Sequence, residues 1–129
     1  MNSKAVFALR EVESDLRAAI AHYESWRPDG KAHVLGLYQE TISWIEWNPD
    51  LFPRKVGRVQ RAILKRSYYI VYFIQELNRT IVLAVLDGRR KPSEIRAIVR
   101  TRKGGERLEA TPDERSRSNR SPLARRASA

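Results

Sequence analysis

The sequence predicts an α+β domain in which a helical hairpin precedes an antiparallel β-meander. Two apolar patterns with helical spacing come first, and the short breaker Pro28-Asp29-Gly30 separates them. From Leu51 onward the spacing becomes that of β-strands, and three apolar segments follow one another with short connections. The length of 129 residues fits one domain of this kind.

The N-terminal half predicts one strand and two helices. The β-prone segment Lys4–Arg10 predicts the strand. Glu13-Ser14-Asp15 suits a helix N-terminus, and the first helix should end near Arg27. The second helix should end at Asn48-Pro49, because the residue before a proline disfavours the helical conformation. The periodic positions are Val12, Leu16, Ala19, Ile20 and Tyr23, then Val34, Leu37, Tyr38, Thr41, Ile42 and Ile45.

The C-terminal half predicts the rest of a four-stranded sheet and a closing helix. The three further strands are residues 59–66, Ser67–Gln75 and Arg79–Leu86, with a tight turn near Glu76-Leu77-Asn78. The short helix Pro92–Val99 follows, since proline is favoured in the first turn of a helix.

The two central strands of this meander are apolar on both faces. An antiparallel sheet with one solvated face should instead alternate apolar and polar residues. The helical hairpin can cover one face, but only the short final helix remains for the other. The remaining apolar surface would suit a protein partner, and the alternative is that loops cover it.

The positive charge is spread over the whole chain, which carries a net +10. Residues 1–100, the predicted domain, have 17 Lys and Arg against 11 Asp and Glu. Residues 101–129 have 8 against 4 and are rich in Arg and Ser, which predicts a disordered basic tail. A basic balance suggests nucleic acid or an acidic protein segment as partner, although it also serves solubility alone.

Several classes of site are disfavoured by the composition. Without cysteine there is neither a disulfide nor a thiolate metal site. His22 and His33 stand alone, so we predict no metal site and no cofactor. We expect a cytoplasmic protein without membrane contact, since no apolar run has the length of a span and no signal-peptide core is present.

Basic residues form the candidate binding surface. In VLDGRRKPSEI (Val85–Ile95) an apolar strand stops at an acid and two arginines follow, while Leu51–Arg66 has six cations and no acid. In a meander these groups could gather at one edge and hold phosphate or carboxylate. The candidate binding residues are Arg58, Arg61, Lys65, Arg66, Tyr69, Arg89 and Arg90.

Catalysis has less support in the sequence. There is no nucleophile in a recognisable setting, no phosphate-binding glycine loop and no metal-ligand spacing. An enzyme would have to use Arg, Lys and Tyr, as in RNA cleavage, where arginines stabilise the phosphorane charge.

Four segments together resemble the RelE/ParE superfamily of bacterial toxins over roughly Lys4 to Arg100. They are ESDLRAAIAHYESWRP, WNPDLFP, VQRAILKRSYYIVYFI and IVLAVLDGRRKP. The resemblance implies the RelE/ParE-like fold and the toxin half of a type II toxin–antitoxin pair. It also implies a small cognate antitoxin, ParD-like or similar and often acidic, that wraps the toxin.

Within the superfamily the sequence is more similar to the ParE branch, which implies DNA gyrase as target. The RelE branch, which implies ribosome-dependent mRNA cleavage, places an arginine where this chain has Tyr69 and a tyrosine where it has Arg96. Arg90, and more loosely Arg61, match basic residues of that branch and would be the catalytic residues of a ribonuclease.

The chain also departs from the ParE pattern, which would put the potency of a toxin in doubt. Ser67-Tyr68-Tyr69 replaces Phe-Pro-Tyr, Asp87 replaces a histidine, and the Arg/Ser-rich tail is additional. Three hypotheses follow: a gyrase-binding toxin, an mRNA endonuclease, and a non-toxic basic nucleic-acid-binding module.

Overall fold

The computed structural model describes residues 2–109 and has the predicted α+β architecture. Its elements are β1 (Ala5–Ala8), α1 (Glu11–Glu24), α2 (Gly30–Trp47), a 3-10 turn (Pro49–Leu51), β2 (Arg54–Val56), β3 (Val59–Ile63), β4 (Tyr69–Gln75), β5 (Arg79–Asp87) and α3 (Pro92–Glu109). The helical hairpin and the β4–β5 hairpin confirm the two main predictions.

The sheet has five strands in the order β1-β5-β4-β3-β2, whereas the sequence predicts four strands. The additional strand is β2, which is only three residues long and pairs with Val59 and Gln60. β1 lies parallel to β5, so the sheet is mixed. The extra strand explains both the strand count and the mixed sheet. Because β2 reverses the chain once more between β1 and β5, β5 runs in the same direction as β1.

A β-bulge in β5 changes which side chains share a face. Tyr72 lies opposite Ala84 and Phe73 lies opposite Val82, so Leu83 is an extra residue. Val82 and Val85 therefore point to the same face, although strict alternation would separate them.

Both faces of β4 and β5 are covered. Tyr23 of α1 contacts the ring of Tyr69, which places the helical hairpin on one face. On the other face, α3 packs against β5. The buried side chains of Ile95 and Val99 on α3 belong to the same core. The expected uncovered apolar surface is therefore not on these two strands.

The helices approach each other closely where α2 begins. A Cβ atom on Gly30 would lie 2.6 Å from the backbone nitrogen of Glu24, so a larger residue would push α1 and α2 apart. The predicted start of the first helix at Glu13-Ser14-Asp15 is wrong, because α1 already begins at Glu11. Asp15 lies within the helix, and its carboxylate faces the sheet.

A buried ion pair closes the outer edge of β5 where β1 ends. β1 stops at Ala8, opposite Val82. Beyond that point the Asp15 carboxylate accepts a hydrogen bond from the Val85 amide, at 2.9 Å. Arg102 donates to the Leu83 carbonyl oxygen at 3.1 Å and to Asp15 at 2.6 Å. These two side chains take the place of a neighbouring strand.

Arg102 lies beyond the predicted end of the last helix. The structure continues α3 to Glu109, so the expected end at Val99 is too early, and residues 101–109 are helical. The remainder of the predicted tail, residues 110–129, lies outside the described residues, and its disorder stays a prediction.

Candidate functional site

Two connections meet at one end of the sheet and form what we call the basic corner: Lys65, Arg66, Tyr68, Arg89 and Arg90. The Gly88 amide donates to the Tyr68 carbonyl oxygen at 2.7 Å, which joins the β5–α3 connection to the β3–β4 turn. The turn itself is closed by the Leu64 amide, which donates to the Tyr69 carbonyl oxygen at 2.9 Å. Four of the predicted cations are thus brought together.

The predicted strands 59–66 and Ser67–Gln75 are each too long where they meet, because a turn lies between them. β3 ends at Ile63 and β4 begins at Tyr69, so the residues between them are not extended. Arg66 has φ 59°, a left-handed conformation that is uncommon for a residue other than glycine. Lys65 and Arg66 are exposed on this turn and have no ion-pair partner in the described part of the chain.

Arg89 is held in a fixed orientation by its own chain. Its Nε and Nη2 atoms donate to the two carboxylate oxygens of Asp87 at 3.1 Å and 2.8 Å. Its guanidinium carbon lies 4.2 Å from the centre of the Tyr68 ring, in cation–π contact. Hydrogen bonding to Arg89 lowers the pKa of Asp87, so the acid stays charged and offsets one positive charge of the corner.

Gly88 leaves little room for a side chain at this close approach. A Cβ atom on Gly88 would lie 2.7 Å from Cδ1 of Ile70 and 3.0 Å from the Tyr68 carbonyl oxygen. A side chain here would have to displace the end of the Ile70 side chain and move the Tyr68 carbonyl by a few tenths of an ångström.

Tyr69 packs in the core and does not form part of the accessible surface, although the sequence suggested it as a contact residue. Only 9% of it is exposed, and its ring lies 6.2 Å from those of His22 and Tyr23. Burial raises the pKa of the Tyr69 hydroxyl, which remains protonated at neutral pH and is a poor general base. The neighbouring Tyr68 is 62% exposed and carries the Arg89 contact.

Arg58 does not join the other candidate residues, contrary to the expectation that they gather at one edge. It lies in the β2–β3 turn and donates to the Gln75 carbonyl oxygen at 2.7 Å. Gln75 is at the opposite end of β4 from Tyr69, roughly 20 Å away at the rise of a β-strand. Successive turns of a meander lie at opposite ends of the sheet, and this rule could have excluded Arg58 from sequence alone.

Arg61 and Arg90, the residues suggested for a ribonuclease, are at different levels of the sheet. Arg61 lies opposite Tyr72, whereas Arg90 follows Asp87, which lies opposite Tyr69. Three strand residues separate the two levels, which is about 10 Å of backbone. Neither arginine has an ion-pair partner among residues 2–109, and Tyr69, a buried tyrosine close enough to feel the charge of Arg90, is protonated.

An apolar groove, which sequence reasoning missed, lies between α2 and the outer edge of β3. Its volume is about 470 Å³, and its lining residues are Glu40, Thr41, Trp44, Leu51, Phe52, Ile63 and Lys65. Trp44 is 52% exposed and Ile63 is 63% exposed. Trp44 and Leu51, large apolar residues on either side of the end of α2, could have indicated an apolar surface here from the sequence.

A buried amide network fixes one wall of this groove. The Gln60 side chain is buried and donates to the carbonyl oxygens of Pro49 and Phe52 at 2.8 Å and 2.9 Å. Its own oxygen accepts from Gln75 at 2.9 Å, and Gln75 also donates to Asp50. The hydrogen bond from Gln75 lowers the pKa of the Asp50 carboxyl. The 3-10 turn that presents Leu51 is thereby tied to the sheet.

The described residues contain neither a metal site nor a membrane span. No group of three or more His, Asp and Glu side chains in them could hold a metal ion. No helix among the same residues is both long and apolar enough to cross a bilayer. His22 and His33 lie on the two different helices of the hairpin, and both contact the ring of Tyr23.

Comparison with known proteins finds a likeness in structure. No protein-family model matches the chain, and no curated protein matches its sequence at a significant level. Among solved structures, a chain of the chromosomal ParDE TA system from P. aeruginosa superposes with a TM-score of 0.53. The two share 19% sequence identity over 66% of this chain and 96% of that chain. At this identity the likeness concerns the fold, and this chain has the fold of that ParDE chain.

Proposed function

We propose that this protein is the toxin of a type II toxin–antitoxin pair and inhibits growth by binding DNA gyrase in the cytoplasm. The observation that carries the proposal is the fold shared with a chain of a ParDE system. The basic corner supports it, because Arg66, Arg89, Arg90 and Lys65 give one end of the sheet a concentrated positive charge.

Binding fits the corner better than catalysis does. Asp87 already occupies Nε and one hydrogen of Nη2 of Arg89, which leaves this arginine only its Nη1 group and the other Nη2 hydrogen for a phosphate. Tyr69 is protonated at neutral pH and buried, so it cannot accept a proton from a ribose hydroxyl. What remains accessible is a group of exposed cations beside the exposed ring of Tyr68, with Arg89 held in place, which suits docking to an acidic or nucleic-acid surface.

The test is a supercoiling assay with purified gyrase, combined with controlled expression in cells. The protein should inhibit supercoiling or trap cleaved DNA, and its expression should induce a DNA-damage response. Arg90→Ala should weaken both effects, whereas Leu77→Ala, a change at a highly exposed turn residue away from the corner, should not. Absence of any effect on gyrase at high protein excess would refute the proposed target.

Two other outcomes would redirect the assignment. If expression cleaves mRNA within ribosomal A sites and Arg90→Ala abolishes the cleavage, the protein is an endonuclease. If expression is harmless and DNA binding falls steeply with salt, the protein is a basic nucleic-acid-binding module. Co-purification with the product of a neighbouring short gene, and relief of growth inhibition by it, would establish the antitoxin.

A further inference from the structure

One side of α3 carries a row of cations, which we call the α3 stripe: Arg96, Arg100 and Lys103. Each of them follows by one position a residue that contacts the sheet, since Ile95 and Val99 are buried and Arg102 bonds to the edge of β5. One position turns an α-helix by about 100°, so the three cations share a face that is turned away from these contacts. Arg96 and Arg100 are exposed, and Lys103 is half-buried.

The positive charge of this region is only partly neutralised. Residues 89–104 contain seven cations and one acid, Glu94. Two of the cations are already paired, with Asp87 and with Asp15. No ion pair with a described side chain occupies the other five, which are Arg90, Lys91 and the three cations of the α3 stripe. These five charges are available to an anionic ligand.

The α3 stripe continues the basic corner and is held rigidly. α3 begins at Pro92, two residues after Arg90, and the stripe extends for about 10 Å along the helix axis. The buried Ile95 and Val99 and the bonds of Arg102 fix this part of the helix on β5. The cations are therefore held in a line before any ligand arrives.

The α3 stripe lacks the anchor that a protein partner would need. Protein interfaces depend on aromatic and apolar side chains buried at their centre, and they are poor in Lys. No large apolar side chain of α3 is exposed among the described residues. The exposed positions beside the stripe have small side chains instead, at Ser93, Ala97, Thr101 and Gly104. A phosphate backbone needs only cations and hydroxyl groups on a surface that it can approach closely.

Duplex DNA fits a rigid row of cations better than a single strand does. Its two strands present one negative charge per about 1.7 Å of helix axis. Its persistence length is about 50 nm, so it is already straight on the scale of the stripe. Single strands bind largely by stacking bases on aromatic rings, and α3 has no aromatic residue. The nearby ring of Tyr68 already has Arg89 on one of its faces.

We propose that the α3 stripe, together with Arg90 and Lys91, binds the phosphate backbone of duplex DNA without sequence preference. The inference rests on the proposed function only for the source of the DNA, which would be the DNA bound to gyrase. The contact itself is argued from the position, the rigidity and the unpaired charge of these cations.

The first test measures the fluorescence anisotropy of a short labelled duplex that is titrated with the full chain at several salt concentrations. The double variant Arg96→Gln/Arg100→Gln should bind at least about tenfold more weakly at low salt. The slope of log K against log salt should become shallower by about 1.8, because each phosphate contact contributes about 0.9. Glutamine is a good helix former, and both positions are exposed, so the fold should be retained.

The matched control is Lys31→Gln/Lys55→Gln, which removes the same charge at exposed positions outside α3. It should change the slope by less than about 0.3. Since all variants keep residues 110–129, the difference between the two double variants does not include the charge of those residues.

A second test needs no substitution. In NMR spectra of the full chain, the amide signals of residues 90–104 should shift when duplex is added, whereas those of α2 should not. Two duplexes of unrelated sequence should bind within about twofold of each other, since phosphate contacts carry no sequence information. Single-stranded DNA, polyglutamate and vesicles of anionic lipid should each bind more weakly than the duplex.

Four results would overturn the inference. They are no binding of the duplex, equal losses in the two double variants, duplex-induced shifts that spare residues 90–104, and tighter binding of single-stranded DNA, polyglutamate or vesicles. These experiments contain no gyrase, so they are separate from the test of the proposed function. Duplex binding through the α3 stripe without any effect on gyrase would keep the inference and refute the target. Inhibition of gyrase without duplex binding would do the reverse.

Discussion

The two outer edges of the sheet differ in whether side chains cover the strand backbone that the short edge strands leave unpaired. Where β1 stops, the exposed backbone of β5 is closed by Asp15 and Arg102, which are 8% and 17% exposed at their side chains. Where the pairing with β2 stops, no strand among residues 2–109 pairs with the outer side of β3 at Ile63, which lies beside an apolar groove. The difference indicates that the fold can close an edge with two side chains, which it does at β5 and does not do at Ile63 of β3.

The largest expected effect comes from breaking the closed edge. Arg102→Met leaves the Asp15 carboxylate buried without its cation, and we expect the free energy of unfolding to fall by about 3–5 kcal/mol. Urea unfolding measures the change. Arg17→Met is the control, since Arg17 pairs with Glu13 on the exposed surface of α1 and such pairs contribute less than about 1 kcal/mol. Equal losses in the two variants would show that the edge needs no ion pair.

A smaller effect is expected at the wall of the open edge. Gln60→Leu leaves the carbonyl oxygens of Pro49 and Phe52 without their donor, which should cost about 1–3 kcal/mol in unfolding experiments. The same change unties the 3-10 turn that carries Leu51 from the sheet. Gln39→Leu, on the exposed side of α2, should change stability by less than about 0.5 kcal/mol. Unchanged stability in Gln60→Leu would contradict this role.

The smallest expected effect on stability comes from the exposed ion pair of Asp87 and Arg89, in contrast to the buried pair of Asp15 and Arg102. The pKa of Asp87 is lower in the folded protein than its unfolded value of about 3.9, so its contribution to stability is present above that pH. The contribution is lost as the pH falls through the folded pKa, and solvent screening keeps it below about 1 kcal/mol. Unfolding measured at about pH 5 and about pH 2 should depend less on pH in Asp87→Asn than in the native protein. Arg89→Met should show the same flattening, and an unaltered pH dependence in both variants would argue against the pair.

Local patterns in the sequence predicted the main elements because these depend on short-range spacing. The hairpin α1–α2 and the strands β4 and β5 have long periodic stretches, and both were found where expected. β2 has only three residues, too few to show a period, and missing it also hid the parallel pairing of β1. The bulge at Leu83 could not be foreseen, since it depends on register between two strands.

The candidate site was predictable in part for a similar reason. Lys65, Arg66, Arg89 and Arg90 lie in two connections at the same end of the sheet, as a meander requires. Tyr69 and Tyr68 are adjacent in sequence, and the strand alternation that decides which one is buried depends on where β4 begins. The groove depends on α2, the 3-10 turn and β3 together, so no single segment reveals it.

The bond between Asp15 and Arg102 also has a consequence for biosynthesis. The two residues are separated by 87 positions, so the first partner leaves the ribosome long before the second. A nascent chain that ends at residue 100 would contain every strand of the sheet and yet expose the edge of β5, which favours aggregation. The turn of α3 that carries Arg102 therefore closes this edge only after every strand of the sheet has been synthesised.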